Sequence, residues 1–219
     1  MSIELLRVRL DDYAKFFASV YQNIPIDMKI PCPTHMLNKY TSQLLRLRLA
    51  MPSHFHAHLD KPIPELPSLF NTRWPLVPNH IDLFENNIHV DSGTGRLTGI
   101  CDWHGAEVSP FGTALGWVEV ALGTLTSNGD LWRYHSAHEE LRAHFWTLFY
   151  GYCGGLQAAD RRCLETARLV GLFLTHGLQG NEPAAAGSEE LGFLWAVLRH
   201  GDPLSAHATA LRALSCNDG

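Results

Sequence analysis

A single β-hairpin pattern is the feature that most constrains how these 219 residues fold. Strand-forming segments at 87–90 and 97–101 flank residues 91–96, a run of turn formers with two glycines. The chain shows no regular alternation of strands and helices of the kind that builds a barrel. We therefore expect an α+β fold that is mainly α with a small β-hairpin.

Helical periodicity precedes the hairpin. Apolar residues recur at three- and four-residue spacing from 10 to 21, behind Asp11 and Asp12 as candidate caps. A second helical pattern runs to about Ala50, with Thr34 as its candidate cap. The first fifty residues are therefore predicted to form two helices joined by a proline-rich loop.

A connector and a helical C-terminal part complete the predicted organisation. Residues 51–79 contain six prolines, which predict an irregular connector without a long helix or an interior strand. Residues 180–187 are predicted to be a flexible surface loop. No boundary stronger than these loops divides the chain, so we expect one domain over 1–219. Helical stretches are predicted near 114–125, 130–152, 158–178 and 188–214, the last broken at Gly201-Asp202-Pro203.

Composition narrows the functional classes. The net charge of −5 and the scattered basic residues give no electrostatic footprint for nucleic acid. The five cysteines are far apart and form no C-x-x-C pair, a pattern typical of a reducing compartment. The N-terminus is too charged for a signal peptide, and no apolar run approaches eighteen residues. We expect a cytoplasmic protein that binds neither nucleic acid nor membrane.

Polar residues are placed around the hairpin in a pattern that suits phosphoryl transfer. Asp82 and Asn87 lead into the first strand, and Asp102 leaves the second. In phosphoryl transfer, an Asp can orient a substrate hydroxyl and take its proton, while an Asn and a second Asp hold magnesium. The predicted hairpin brings residues twenty apart in sequence to face one another at its open end.

The amino-acid sequence of this region resembles that of the aminoglycoside phosphotransferase and choline-kinase-like family, which has a protein-kinase-like fold. The matching residues are His80-Ile81-Asp82, then Asn87 and the hairpin, then Ile100-Cys101-Asp102-Trp103. The resemblance implies a catalytic-type loop and hairpin over 78–104 and a helical part over 113–214. It also implies Asp82 as catalytic base, His80 as a brace of the loop, Asn87 and Asp102 as magnesium ligands, and ATP and Mg²⁺ as cofactors.

The chain departs from the family pattern before the hairpin. Kinases of this type carry a β-rich N-terminal lobe with a glycine-rich loop and a phosphate-pairing lysine. Neither Lys15 nor Lys29 lies in a strand of that type, and no strand–glycine–strand pattern precedes His80. We therefore expect the C-terminal lobe alone, with the N-terminal β-lobe missing. Smaller departures are Ile81, where a small residue or Arg is usual, and the lack of an acidic residue over 109–114.

Two classes of function remain open. The first is an ATP- and Mg²⁺-dependent phosphotransferase acting on a small-molecule hydroxyl. The second is a non-catalytic, pseudokinase-like binding module, with a protein partner at the face where the N-terminal lobe would sit. The missing lobe could also be encoded upstream, in which case the chain is an incomplete product.

Two further patterns have competing interpretations. His54, His56 and His58 would share one face of an extended segment and could bind zinc or nickel, a weaker alternative function. Acidic residues of the C-terminal helices could face a cationic acceptor or only water. These acidic residues are Glu119, Glu139, Glu140, Glu189 and Glu190.

Overall fold

The structure is a computed structural model that describes residues 2–126 and 132–200. The α-helices are α1 (Ile3–Gln22), α2 (Pro33–Ala50), α3 (His56–Leu59), α4 (Pro62–Glu65), α5 (His138–Tyr152), α6 (Ala158–His176) and α7 (Glu189–His200). Short 3-10 helices span Ser53–Phe55, Leu66–Phe70, Glu85–Asn87 and Thr113–Leu122. The strands are β1 (Leu76–Asn79), β2 (Ile88–Val90), β3 (Leu97–Ile100), β4 (Glu107–Pro110), β5 (Gly123–Leu125), β6 (Trp132–Tyr134), β7 (Leu178–Gln179) and β8 (Glu182–Pro183).

The strands form small antiparallel pairs rather than one sheet. β1 pairs with β4, β2 with β3, β5 with β6, and β7 with β8. The other regular elements in the described ranges are α-helices and 3-10 helices. The chain is therefore mostly helical with small antiparallel sheets, which confirms the predicted α+β class.

The predicted hairpin is present as β2 and β3. Its turn is built by Asp91, whose Oδ1 accepts hydrogen bonds from the backbone N–H groups of Gly93 at 3.1 Å and Thr94 at 2.8 Å. Gly95 has a φ of 74°, and a Cβ there would meet the carbonyl oxygen of Leu5 in α1. Glycine is therefore required at this position both by the left-handed backbone and by the close approach of α1.

Helix α1 holds the hairpin in place through Asp12. The carboxylate of Asp12 accepts from Arg96 Nη1 at 2.9 Å and from the backbone N–H of Leu97 at 3.0 Å. Asp11 instead accepts from the hydroxyl of Tyr152 at the end of α5, at 2.6 Å. The prediction that these two residues cap the first helix is wrong, because α1 begins eight residues before Asp11. Their carboxylates join α1 to other elements.

The segment predicted to be an irregular connector is more regular than its prolines indicated. Two short α-helices and two 3-10 helices lie between Ser53 and Phe70, and β1 includes Pro78. Proline is accepted at the first turn of a helix, and Pro62 occupies that place in α4. Pro78 is accepted because both strands of a two-stranded sheet are edge strands.

Three helical or loop predictions in the C-terminal part are wrong in part. The stretch near 114–125 forms a 3-10 helix followed by β5, because its residues are buried on every side and carry no amphipathic period. Residues 132–134 are strand β6 rather than the start of a helix. The loop at 180–187 contains β8, paired with β7. Residues 201–214 of the last predicted helix, including its break at Gly201-Asp202-Pro203, lie outside the described residues.

The core is formed where α1 and α5 pack together and α6 crosses the 3-10 helix Thr113–Leu122. Gly171 makes the second crossing close, since a Cβ at this position would collide with the backbone of Thr113. Four aromatic residues of α5 are buried in this core: Phe145, Trp146, Phe149 and Tyr150. Among the described residues, no helix is long and apolar enough to cross a membrane.

His176, at the end of α6, is buried among aromatic rings, which predicts an acid-sensitive fold. Its ring lies 5.2 Å from Trp117 and 4.7 Å from Phe193, measured between centroids. Burial lowers the pKa of His176 from 6.5 to about 4, against an opposing attraction from Glu190. The unfolded chain therefore binds the proton first as pH falls below 6.5, and stability declines between 6.5 and about 4.

We expect His176→Leu to flatten this pH dependence. Between pH 7 and pH 5, the histidine should cost the wild-type protein about 2 kcal/mol of unfolding free energy, a loss that the leucine variant avoids. Urea unfolding of both proteins at the two pH values measures the difference. Equal losses in the two proteins would assign the acid sensitivity to other groups.

Candidate active site

His80 ties the loop after β1 to the end of β3. Its ring is buried, and Nδ1 accepts a hydrogen bond from the backbone N–H of Asp82 at 3.1 Å. Because Nδ1 accepts, the ring proton lies on Nε2, which donates to the carbonyl oxygen of Cys101 at 3.0 Å. The indole of Trp103 meets the imidazole edge to face, with centroids 4.8 Å apart. His80 thus fixes the backbone beside Asp82.

Asn87 holds the Asp82 side chain from the other end of the loop. Its Nδ2 donates to the carbonyl oxygen of Asp82 at 2.9 Å and to Asp82 Oδ2 at 3.2 Å. Asp82 Oδ1 is shielded from solvent and has no hydrogen-bond partner among the described residues. A buried acceptor without a donor is costly. The arrangement therefore leaves one carboxylate oxygen unused by the described residues, as a general base or a cation ligand requires.

Asp102 follows β3 and is exposed. Its φ of 56° lies in the left-handed region, which Asp tolerates better than most residues and which turns the chain out of the strand. The preceding residue, Cys101, donates its backbone N–H to the carbonyl oxygen of Asn87 at 3.0 Å. This bond and the one from His80 to Cys101 join the Asp82 loop to the segment that carries Asp102.

The residues present suit a magnesium ion. Hard cations such as Mg²⁺ take oxygen ligands, and the two segments offer the carboxylate of Asp102 and the carboxamide oxygen of Asn87. The Asn87 carboxamide oxygen is oriented by a bond from Asn86 Nδ2 at 3.1 Å. No three His, Cys, Asp or Glu side chains converge as a metal site anywhere in residues 2–126 and 132–200. A site here would therefore use the mixed Asn and Asp set.

A buried polar chain supports the loop from below. Asn79 Nδ2 donates to Ser109 Oγ at 2.8 Å and thereby links β1 to β4. Thr113 donates its hydroxyl to the carbonyl oxygen of Pro110 at 3.0 Å, so Ser109 donates in turn to Thr113 Oγ1, also at 3.0 Å. Sequence reasoning missed Asn79, which directly precedes His80. Only the pairing of β1 with β4 reveals its partner, thirty residues away.

The histidines at 54–58 do not form the extended row that a metal site would need. The segment is helical, so period-two spacing does not place the three rings on one face. His56 contacts Arg48 Nη1 at 2.7 Å and the carbonyl oxygen of Met51 at 3.0 Å. His54 and His58 pack against Trp195 instead.

The acidic residues considered for an acceptor site have different surroundings. Glu119 is buried and binds Arg142 through two hydrogen bonds of 2.8 and 2.7 Å, with a third from Tyr134 at 2.8 Å. Burial by itself would raise the pKa of Glu119, but the bonds and charge of Arg142 outweigh it and hold the pKa below its usual value. Glu119 therefore does not face an acceptor. Glu140 pairs with Arg7 at the surface.

Comparison with known proteins identifies the class. A model of the phosphotransferase enzyme family (APH) matches residues 34–144, more than half of the 219 residues. The matched span contains His80, Asp82, Asn87 and Asp102. The chain belongs to this family, which confirms the resemblance to aminoglycoside phosphotransferases.

Other matches are more distant. Among solved structures, the chain is similar to a macrolide 2'-phosphotransferase type I, with 18% sequence identity and a TM-score of 0.47. That match covers 92% of this chain, which spans only 58% of the other. No curated protein sequence matches the chain.

Proposed function

We propose that this protein transfers the γ-phosphoryl group of ATP to a hydroxyl group of a small molecule, in the presence of Mg²⁺. Family membership supports a kinase-like phosphotransferase. The observation that carries the proposal is Asp82, whose Oδ1 has no hydrogen-bond partner among the described residues while Asn87 holds its Oδ2. A base needs a free acceptor oxygen fixed in place, and Asp82 provides one.

The residues divide the chemistry between them. Asp82 Oδ1 would receive the acceptor hydroxyl's proton as the new oxygen–phosphorus bond forms and the bond between the γ-phosphorus and the β-phosphate oxygen breaks. Asn87 and Asp102 would hold magnesium, which when bound neutralises charge on the phosphates. His80 positions Asp82 through the backbone and does not touch substrate. The fixed loop supplies the positioning on which phosphoryl transfer depends.

A second candidate function is a non-catalytic binding module. It is favoured by residues 2–75, which contain helices and no strand in the structure, whereas kinase-like nucleotide sites use a β-rich lobe as a cover. Under this alternative, a protein partner would occupy the face above the loop, where Ile81 and Trp103 are exposed.

We also propose a cytoplasmic location, which the free thiols of Cys32, Cys101, Cys153 and Cys163 support.

Thermal-shift titration of the purified chain with ATP and Mg²⁺ tests the proposal. At 100 times the dissociation constant, the nucleotide should stabilise the folded chain by about 2.7 kcal/mol. Asp102→Ala should abolish the stabilisation. Asp27→Ala, which removes an exposed carboxylate from the loop between α1 and α2, should retain it.

The titration separates the two candidate functions. Saturable, magnesium-dependent stabilisation that is lost only in Asp102→Ala supports the phosphotransferase site. No shift at millimolar nucleotide contradicts nucleotide use by this chain alone and favours the binding module. Equal loss in both variants would mean that the binding is not specific to the Asp102 site.

A further inference from the structure

A cavity of about 520 Å³ lies among α3, α4, α6 and α7, and none of its lining residues belongs to the loop and hairpin of the candidate active site. Its size falls in the range of small-molecule sites, roughly 300–1,000 Å³. Pro62, Leu169 and Leu198 give it apolar walls. The space is therefore larger than a bare inorganic ion requires and has surface for an organic group.

The charged lining of this cavity is mainly positive, although the whole chain has a net charge of −5. Four cationic side chains face it against two carboxylates. One cation and one carboxylate compensate each other, because Glu165 accepts two 2.8 Å hydrogen bonds from the guanidinium of Arg168. The cationic residues are Lys61, Arg162, Arg168 and Arg199, and the carboxylates belong to Glu65 and Glu165.

Three of the cations are exposed at the rim of the cavity. Within the part of the chain that the structure describes, Lys61, Arg162 and Arg199 have no carboxylate at salt-bridge distance; Arg199 lies only over the ring of Trp195, at 5.9 Å. Arg168, by contrast, is buried and paired with Glu165. The cavity thus presents three exposed cations, whereas the charge of Arg168 is already compensated by Glu165.

We propose that this cavity binds a small phosphorylated molecule, with its phosphate groups between Lys61, Arg162 and Arg199 and its apolar part against Leu169 and Leu198. Guanidinium groups match the geometry of phosphate oxygens through paired hydrogen bonds, and an ammonium adds a point charge. The proposal does not depend on phosphoryl transfer at Asp82, because the two sites share no residue.

Calorimetric titration of the full chain with inorganic pyrophosphate tests this site. The buffer contains EDTA and no magnesium, so that the magnesium-dependent candidate site does not contribute, and chloride keeps the ionic strength constant. Wild-type protein should show saturable binding at one site. Lys61→Gln combined with Arg162→Gln should raise the dissociation constant about tenfold or more, because two charge-assisted contacts are lost.

A matched control removes the same charge elsewhere. Lys39→Gln combined with Arg73→Gln replaces two exposed cations outside the cavity and should leave the dissociation constant within about twofold of wild type. Binding that weakens equally in both double variants would contradict the proposal, because the effect would then come from the overall charge of the protein and not from the cavity. Absence of saturable binding in wild type, or unchanged binding in the cavity variant, would overturn the proposal. If the cavity variant fails to fold, Arg162→Gln alone gives the comparison.

Discussion

Replacing Arg142 with alanine is expected to destabilise the fold by about 3–5 kcal/mol, the cost of leaving a buried charge without its partner. Arg142 and Glu119 are almost completely buried, with side-chain exposures of 2% and 5%. The guanidinium supplies two of the three hydrogen bonds that Glu119 accepts, and the Tyr134 hydroxyl supplies the third. Without Arg142, the carboxylate keeps only the Tyr134 hydroxyl and the attraction of Arg168, which is weaker than that of Arg142.

The measurement is urea unfolding of three proteins. Arg142→Ala should show the full loss, whereas Glu119→Leu combined with Arg142→Met should recover most of it, since apolar residues of similar volume need no partner. Arg7→Ala is the matched control. It breaks the exposed ion pair between Arg7 and Glu140, a residue that lies on α5 as Arg142 does, and should cost about 1 kcal/mol or less. A loss in Arg142→Ala no larger than in Arg7→Ala would show that the buried pair is not a main support of the fold.

The Glu119 pair illustrates what the sequence could not indicate. Glu119 and Arg142 are 23 residues apart, and β6, which carries Tyr134, was predicted to be helix. Without the β5–β6 pairing, nothing placed Glu119 inside the protein, so it was considered as an acceptor contact. Its surroundings are set by tertiary packing that no local pattern encodes.

The candidate site was predictable because its signals are local. The hairpin is predicted by the turn-forming residues at 91–96. Because its strands are short, its open end brings Asn87 and Cys101 into hydrogen-bond contact. The spacing of His80, Asp82 and Asn87 within eight residues then defines one loop. Asn79 lacked such a signal, because its partner Ser109 becomes a neighbour only when β1 pairs with β4.

The prolines and apolar runs misled for a related reason. Prolines exclude an interior strand, but they do not exclude a two-stranded sheet. Pro78 lies in such a sheet, where one side of each strand forms no backbone hydrogen bonds to another strand. An apolar run buried on all sides, as in the segment Thr113–Leu122, carries no period by which helix type can be recognised. Both errors concern segments whose surroundings, rather than whose own residues, decide the backbone.

Asp82→Asn is expected to reduce phosphoryl transfer by about 10²–10⁴-fold, the usual contribution of a positioned base. The same change should leave stability equal or higher. Asp82 Oδ1 is buried without a donor in residues 2–126 and 132–200, and a neutral carboxamide is cheaper to keep there than an unpaired carboxylate. Asn87 Nδ2 can continue to donate to the remaining oxygen, as it does to Oδ2 at 3.2 Å.

Two measurements on the same variant assign the role of Asp82. Magnesium-ATP consumption with hydroxyl acceptors should fall, while the magnesium-ATP dissociation constant should remain close to wild type, because Asn87 and Asp102 are proposed to hold the metal. Asp102→Ala should show the opposite order, with binding lost first. If Asp82→Asn retains turnover, Asp82 is not the base; if it loses nucleotide binding as Asp102→Ala does, Asp82 belongs to the metal site. The expected Asp82→Asn variant is more stable than wild type, binds nucleotide and is inactive. That combination would show that the buried oxygen costs stability and is kept for the proton that it receives in catalysis.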